Sequence, residues 1–459
     1  MPKIQGSFPN PTELKRIKTL EKYNQLYENE QQKVLPLHDY IKKQFKKDSE
    51  VIYLAHALSF HITEFYSDFV QGDDEDLIIE NTNEDEAELT IINDIVDDNN
   101  IKERIADWAS DQSEFGYEVL LVRMEDNKIF IDDIAQDQYF PQKDGSVIFA
   151  SYIRKSDDIT KKDFWLYTQT YEMNADKSGV LITRQLWDTD VYGVASQVIS
   201  DLTVAGITDE PAEQIEGLKQ LPIVQIDNGK RTKWGFGASD YAQIIPQLTE
   251  INERASHEAV QLLKNLDAKL QLPSGSDLVD ENGKVKAFEA IQVADKDTPD
   301  MKYVTNDNPL LTDLREHLIM EAKFIALVTG VPLFELLKSA MPDRVESLRI
   351  QLFRALRKTA KKRSKIKQAI KQLMSIAFQL KNTELKSDIN VRFGDVLPTD
   401  KFEEAQTEEI KIRSGMSSRF SAIKRVEGYD DNRVENELKL IQEENVRTGA
   451  VNPQNAPQI

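Results

Sequence analysis

The sequence contains no cysteine at all. That excludes disulfide frameworks, thiolate-ligated zinc and thiol catalysis together. No run of eighteen apolar residues occurs, so no segment reads as a membrane-spanning helix. The start, MPKIQGSFPN, lacks the basic-then-apolar layout of a secretory leader, and the expected compartment is a cytoplasm. Positive charge is also in deficit. Against 79 acidic residues stand 58 basic ones, a net charge of −21. A protein that grips nucleic acid by neutralising phosphates carries the opposite sign, so tight general binding to DNA is disfavoured. A surface that faces DNA without holding it is compatible with this charge.

Nucleotide-binding and catalytic signatures are missing too. Gly229-Lys230 and Gly283-Lys284 lack both the earlier glycine and the following hydroxyl of a phosphate-binding loop. No G-x-S-x-G elbow is present. The five histidines are scattered; His56 and His61, five apart, fall on different faces of a helix and make no metal pair. The acids of Asp73 to Glu88 read as a solvated loop and a helix start, with a divalent-metal site as the sharper alternative. No cofactor and no metal is expected.

What is present is 459 residues, 40% hydrophobic and 30% charged, enough for several structural units. From Pro11 to Gly72 the pattern is helical, with a stripe through Val51, Leu54, Ala55, Leu58, Ile62, Phe65 and Phe69. Between Gly116 and Ile226 it changes to short β-runs: 117–123, 129–131, 147–154, 164–171 and 180–187, with turns at Asp126-Asn127 and Asp144-Gly145. This predicts an antiparallel, hairpin-built region with one exposed face. Ser239 and Asp240 then open a long helix, with Gln243 at capping-box spacing and Pro246 positioned to bend its second turn. Leu248 and Ile251 lie on its apolar stripe. Residues 270–307 return to strands and turns. A second helix starts around Asn308-Pro309, carries Leu314 and Leu318, and stops at Gly330 before Pro332. A third covers 345–380 and bears nine basic residues from Arg354 to Lys371 without one acid. Shorter helices start at Asp400, Ser418 and Asp431, and the end of the chain, TGAVNPQNAPQI, has a disordered composition.

This order of elements resembles the portal proteins of tailed bacteriophages, particularly those infecting Gram-positive hosts. Four segments carry the likeness. They are Phe115 to Val119 with Ile129–Asp132 and Gln138-Tyr139-Phe140-Pro141; Gly235-Phe236-Gly237-Ala238-Ser239-Asp240-Tyr241; Thr329-Gly330-Val331-Pro332; and Phe393 to Asp400 followed by Gly415-Met416-Ser417-Ser418 and Val426 to Asp431. One departure is Asp343-Arg344-Val345-Glu346-Ser347, where many relatives carry a Ser-Gly pair.

The resemblance implies an α+β portal fold. Its parts would be a wing over 1–237, stem helices over 238–268 and 308–330 and a clip over 269–307. A tunnel loop over 331–344, a long wing helix over 345–382 and a crown-like helical C-terminus over 383–459 complete it. It implies a ring of about twelve copies at the capsid vertex of the virion, assembled in the host cytoplasm. DNA would pass through the ring during packaging and ejection. The expected partners are the terminase large subunit, a head-completion adaptor, the major capsid and scaffold proteins and the double-stranded DNA itself, with no membrane.

In the tunnel loop, which holds Phe334, Leu337, Lys338 and Met341, Lys338 would approach phosphate while Phe334 and Met341 would press on the duplex or on neighbouring subunits; a short helix with leucines packed inside is the plainer alternative. Leu248, Ile251, Leu314 and Leu318 would pack one stem helix on the other. Lys361, Lys362 and Arg363 would form a solvated or intersubunit face, paired with acids such as those at Asp73 to Glu88 of a neighbour, with a DNA-facing surface as the alternative. Two rival functions remain: another head–tail connector or scaffold ring, and a Mg²⁺-dependent nucleic-acid enzyme.

Overall fold

The computed structural model describes residues 8–37, 53–72, 77–81, 85–155, 163–190, 193–229, 231–232, 235–266, 269–272, 290–292, 302–304, 310–332, 352–394, 396, 401–427 and 431–447. It is a mixed helix-and-sheet structure that divides into two units. One comprises residues 1–341 and 349–394, the other 342–348 and 395–459.

The first unit begins with α1 (Pro11–Tyr27), capped by Asn10, whose side chain accepts from the Thr12 and Glu13 amides. α2 (Gln31–Val34) follows, then α3 (Leu58–Gln71), which ends where Gly72 adopts φ +67°. The helical stripe of the sequence is thus cut short at its front. Leu54 and Ala55 belong to a non-helical approach, and the Leu54 and His56 amides donate to Ser256 Oγ and Asn252 Oδ1. His56 therefore lies off the helix that carries His61.

The acidic stretch does hold a helix start, because Asp85 caps α4 (Glu86–Asp98). α5 (Ile101–Glu114), for which the sequence offered no separate signal, packs on α3.

The β-runs appear as read. β2 (Tyr117–Glu125) and β3 (Lys128–Asp133) form a hairpin whose turn residues Asp126 and Asn127 both have positive φ, the geometry of a type I′ turn. β10 (Ile223–Asp227) adds to the other edge of β2. β2 departs from one-sided burial: its first six residues are all buried, because α5 and a long helix cover the sheet; Val147 to Ala150, in the other sheet, are buried too. A second sheet runs β4 (Tyr139–Pro141), β5 (Val147–Arg154), β6 (Phe164–Met173), β7 (Gly179–Thr189), β8 (Ala195–Ile199), with β9 (Ala212–Glu216) on the remaining length of β7. Its outer strands β8 and β9 are mostly exposed.

α6 (Ile245–Leu266) and α7 (Leu310–Thr329) lie against one another. Arg315 pairs with Glu258 while Ile325 shares a core with Ile251, so the two run antiparallel. Between them in sequence, β11 (Lys269–Leu272), β12 (Ala290–Gln292) and β13 (Lys302–Val304) form a small sheet in the order β12-β11-β13. α6 starts five residues later than expected, so Pro246 falls in its first turn, where no amide is missed, and does not bend it.

α8 (Phe353–Leu380) is the central beam. Ile366, Ile370, Leu373, Met374 and Phe378 bury their side chains in one core with Val119 and Leu120 of β2, Val224 of β10 and Trp108 of α5. β14 (Ile389–Arg392) closes a two-stranded pair with β1 (Ile78–Asn81), joining distant parts of the chain. The second unit holds α9 (Lys401–Arg413), α10 (Arg419–Glu427) and α11 (Asp431–Arg447). Ser418 caps α10 by accepting from the Ser421 amide, as its position predicts.

Candidate functional site

Where α6 begins and α7 ends, five segments meet around one carboxylate. The loop before α6 is brought in by two glycines. A Cβ on Gly237 would stand 2.0 Å from the Gly116 carbonyl oxygen, and one on Gly116, whose φ is +91°, would stand 2.6 Å from the Ser239 amide nitrogen. Only glycines allow this approach. It sets Asp240 beneath the end of α5, where its amide donates to the Ser113 carbonyl at 2.9 Å.

The Asp240 side chain is buried and fully partnered. Ser113 Oγ donates to Oδ2 at 2.8 Å and Asn228 Nδ2 to Oδ1 at 2.7 Å. From α8, Lys358 Nζ lies 2.9 Å from Oδ1 and Lys362 Nζ lies 3.4 Å from Oδ2. Burial alone would raise this carboxyl's pKa. The ammonium groups of Lys362 and Lys358, with the hydrogen bonds of Lys358 and Asn228, outweigh it and hold the group below its ordinary value. Lys362 is 1% exposed, and burial pushes its ammonium down to about 8 against the pull of Asp240.

Tyr66 of α3 completes the joint. Its hydroxyl donates to the Thr329 carbonyl at 2.5 Å, at the last turn of α7, and Lys358 also donates there at 3.3 Å. The two ammonium groups sit 4.4 and 5.4 Å from the Tyr66 ring centre. One lysine pair thus holds the entry to α6, the exit of α7 and the middle of α3 onto α8.

Of the basic trio on α8, Lys362 is therefore directed into the subunit, and Arg363 largely so. Arg363 donates from Nε to the Val70 carbonyl at 2.9 Å and from Nη1 to the Gly394 carbonyl at 2.6 Å, and lies over Phe393. Lys361 alone is exposed. The expectation that all three face DNA or a neighbour is corrected for Lys362: a side chain enclosed by its own subunit cannot reach either.

Leu248, Ile251 and Leu318 meet in one core with Ile62 and Tyr66 of α3 and Ile325 of α7. Leu314 lies on α7, its side chain outside the described ones. Phe334, Leu337, Lys338 and Met341 lie outside the described residues.

Asp240 has the sequence spacing of a helix cap, and the run Gly-x-Gly-Ala-Ser-Asp-Tyr is the available signal for its role. Tyr66, Asn228 and Ser113 carried none. Among the described residues no group of three or more acids and histidines is placed to hold a metal ion. Nor is any helix there long and apolar enough to cross a membrane.

Comparison with known proteins defines the class. A family model described as phage portal protein, SPP1 Gp6-like, matches residues 10–449, nearly the whole chain. The chain belongs to this family of portal proteins, and more particularly to its SPP1 Gp6-like members. It is accordingly a structural component of a virion, working as an oligomer, and not an enzyme.

Curated protein sequences give no match. Solved structures similar to it include a chain of the virion of a native gene transfer agent particle, at 12% identity and TM-score 0.41, covering 85% of this chain and 94% of that one. Another is from the neck of an empty gene transfer agent particle, at 13% identity and TM-score 0.43, covering 81% and 90%.

Proposed function

We propose that about a dozen copies of this portal protein form a ring at one capsid vertex, the channel through which DNA is packaged and ejected. The observation that carries this reading is the match to the portal family across residues 10–449. The arrangement of α6 and α7 supports it. An antiparallel helix pair, clamped at one end by Asp240 and Thr329 and carrying a small sheet at the other, suits a stem with a clip at its tip. In this assignment residues 238–268 and 308–330 are the stem and 269–307 the clip. Residues 331–344 are the tunnel loop, with Phe334, Leu337, Lys338 and Met341 toward DNA. Residues 1–237 and 345–382 form the wing and 383–459 the crown. A net charge of −21 per copy makes a strongly acidic ring, along which a like-charged duplex slides without adhering.

The clip is the docking place for the terminase large subunit during packaging and for the head-completion adaptor afterwards, and the wing meets capsid and scaffold proteins. The test is genetic. Deleting the gene from its phage should leave heads empty of DNA, and supplying the intact chain in trans should fill them. Filled heads without the chain would overturn the reading.

A further inference from the structure

α7 is apolar on two opposite faces. Ala322, Ile325 and Thr329 are buried against the body of the subunit. On the far side, Met320, Phe324, Leu327 and Val328 stand 44 to 53% exposed. Their steps of four, three and one residues place them in a single stripe. A helix with apolar residues on two opposite faces calls for a partner on each, and among the described residues the subunit supplies only one of the two. The stripe continues onto α8. Arg354 Nη1 donates to the Leu327 carbonyl at 3.1 Å, and Phe353, the residue before it, is 57% exposed. Arg354, Arg357 and Lys361, all exposed, give this face a basic border.

α3 carries the complementary chemistry on a face turned the other way. Tyr66 points at α8 and the end of α7. Glu64 and Asp68, two positions to either side, point about 200° around the helix from it. Phe60, 38% exposed, stands in the same row. Burial and the charge of Glu64 push the Asp68 carboxyl upward; Glu64 accepts from the Tyr27 hydroxyl of α1 at 2.9 Å and Phe60 lies against the Tyr27 ring, so Asp68 is the exposed acid of this row. The two faces therefore point away from a shared core, one apolar with a basic border, the other aromatic with acids. Like faces would repel, whereas unlike faces of successive copies attract, which is the requirement for a head-to-tail contact that closes into a ring.

We propose that the stripe of Met320, Phe324, Leu327 and Val328, with Phe353 and Arg357, docks on Phe60, Glu64 and Asp68 of the next copy of this chain. The proposal rests on the ring reading and names the surfaces that make it.

Native mass spectrometry of purified variants tests it, with circular dichroism melting as the control for folding. Leu327→Asp should give folded monomers with a single cooperative melt, because Leu327 already faces outward in the subunit. Arg357→Glu and Asp68→Arg should each weaken association about tenfold, ~1.4 kcal/mol. Together in one chain they should restore it, since the charges have then exchanged places. Wild-type rings from Leu327→Asp and from both single reversals would overturn the proposal, as would a double variant no better than the singles. A wild-type chain that is monomeric at every concentration would instead overturn the ring reading on which this one stands.

Discussion

Lys362 Nζ lies 3.4 Å from Asp240 Oδ2 in the interior of the subunit, and this pair joins α8 to the loop that leads into α6. Removing one member of such a pair leaves an uncompensated buried charge, which costs more than the pair itself contributes. Asp240→Asn strands two ammonium groups at once. It should lower unfolding stability by about 3–5 kcal/mol in urea titration. Adding Lys362→Met to it should recover part of the loss, because the deeper unpaired charge is then gone. Equal stability of Asp240→Asn and wild type would show that the pair carries no weight.

Tyr66→Phe keeps the ring beneath the lysines and removes only the hydroxyl that donates to the Thr329 carbonyl. The expected loss is about 1 kcal/mol, read as a shift of the urea midpoint at constant slope. Lys361→Ala, at an exposed position a few residues away, should leave the midpoint unchanged.

Gly237→Ala puts a methyl group where the Gly116 carbonyl already stands. The loop must withdraw and take Asp240 with it, so the loss should exceed ~2 kcal/mol. Gly235→Ala is the useful contrast. That glycine has open space around it but φ +88°, so its cost is backbone strain alone and should be ~1 kcal/mol. Thermal melting of the two variants side by side checks the order.

A buried acid cluster at the end of α5 predicts how stability follows pH. Burial pushes Glu114 up to about 8, with the charges of Asp111 and Glu28 adding to it, and pushes Asp111 up to about 6. In the unfolded chain these carboxyls ionise near their ordinary values, while the folded chain keeps their protons to higher pH. Their contribution is therefore complete in acid and is lost as pH rises through about 6 for Asp111 and about 8 for Glu114. Glu114→Gln should flatten the melting temperature against pH up to about 8. A slope unchanged in the Gln variant would refute that assignment.

Much of the fold was legible because local chemistry and tertiary context agreed. The Asp126-Asn127 turn needs two positive φ values, residues of that type adopt them, and the hairpin follows. β5 occupies Val147–Arg154, the run expected for it, and α7 stops at Thr329 because Gly330 takes φ +85°. The failures have a common cause, which is that a residue's local role was overridden from a distance. Asp240 has the spacing of a helix cap, yet its carboxylate is claimed by two lysines more than a hundred residues on, and α6 begins only at Ile245. The basic run of α8 reads as an exposed surface, but periodicity cannot show that Lys362 has a buried acid to meet. α5 has an apolar stripe too short and too interrupted by acids to stand out, and its place is set by packing on α3.

The central claim is the ring. Negative-stain electron microscopy of the purified chain, beside native mass spectrometry of the same sample, tests it most directly. The account predicts closed rings of about twelve subunits with a central hole. A monomer that persists across concentration and ionic strength would contradict it.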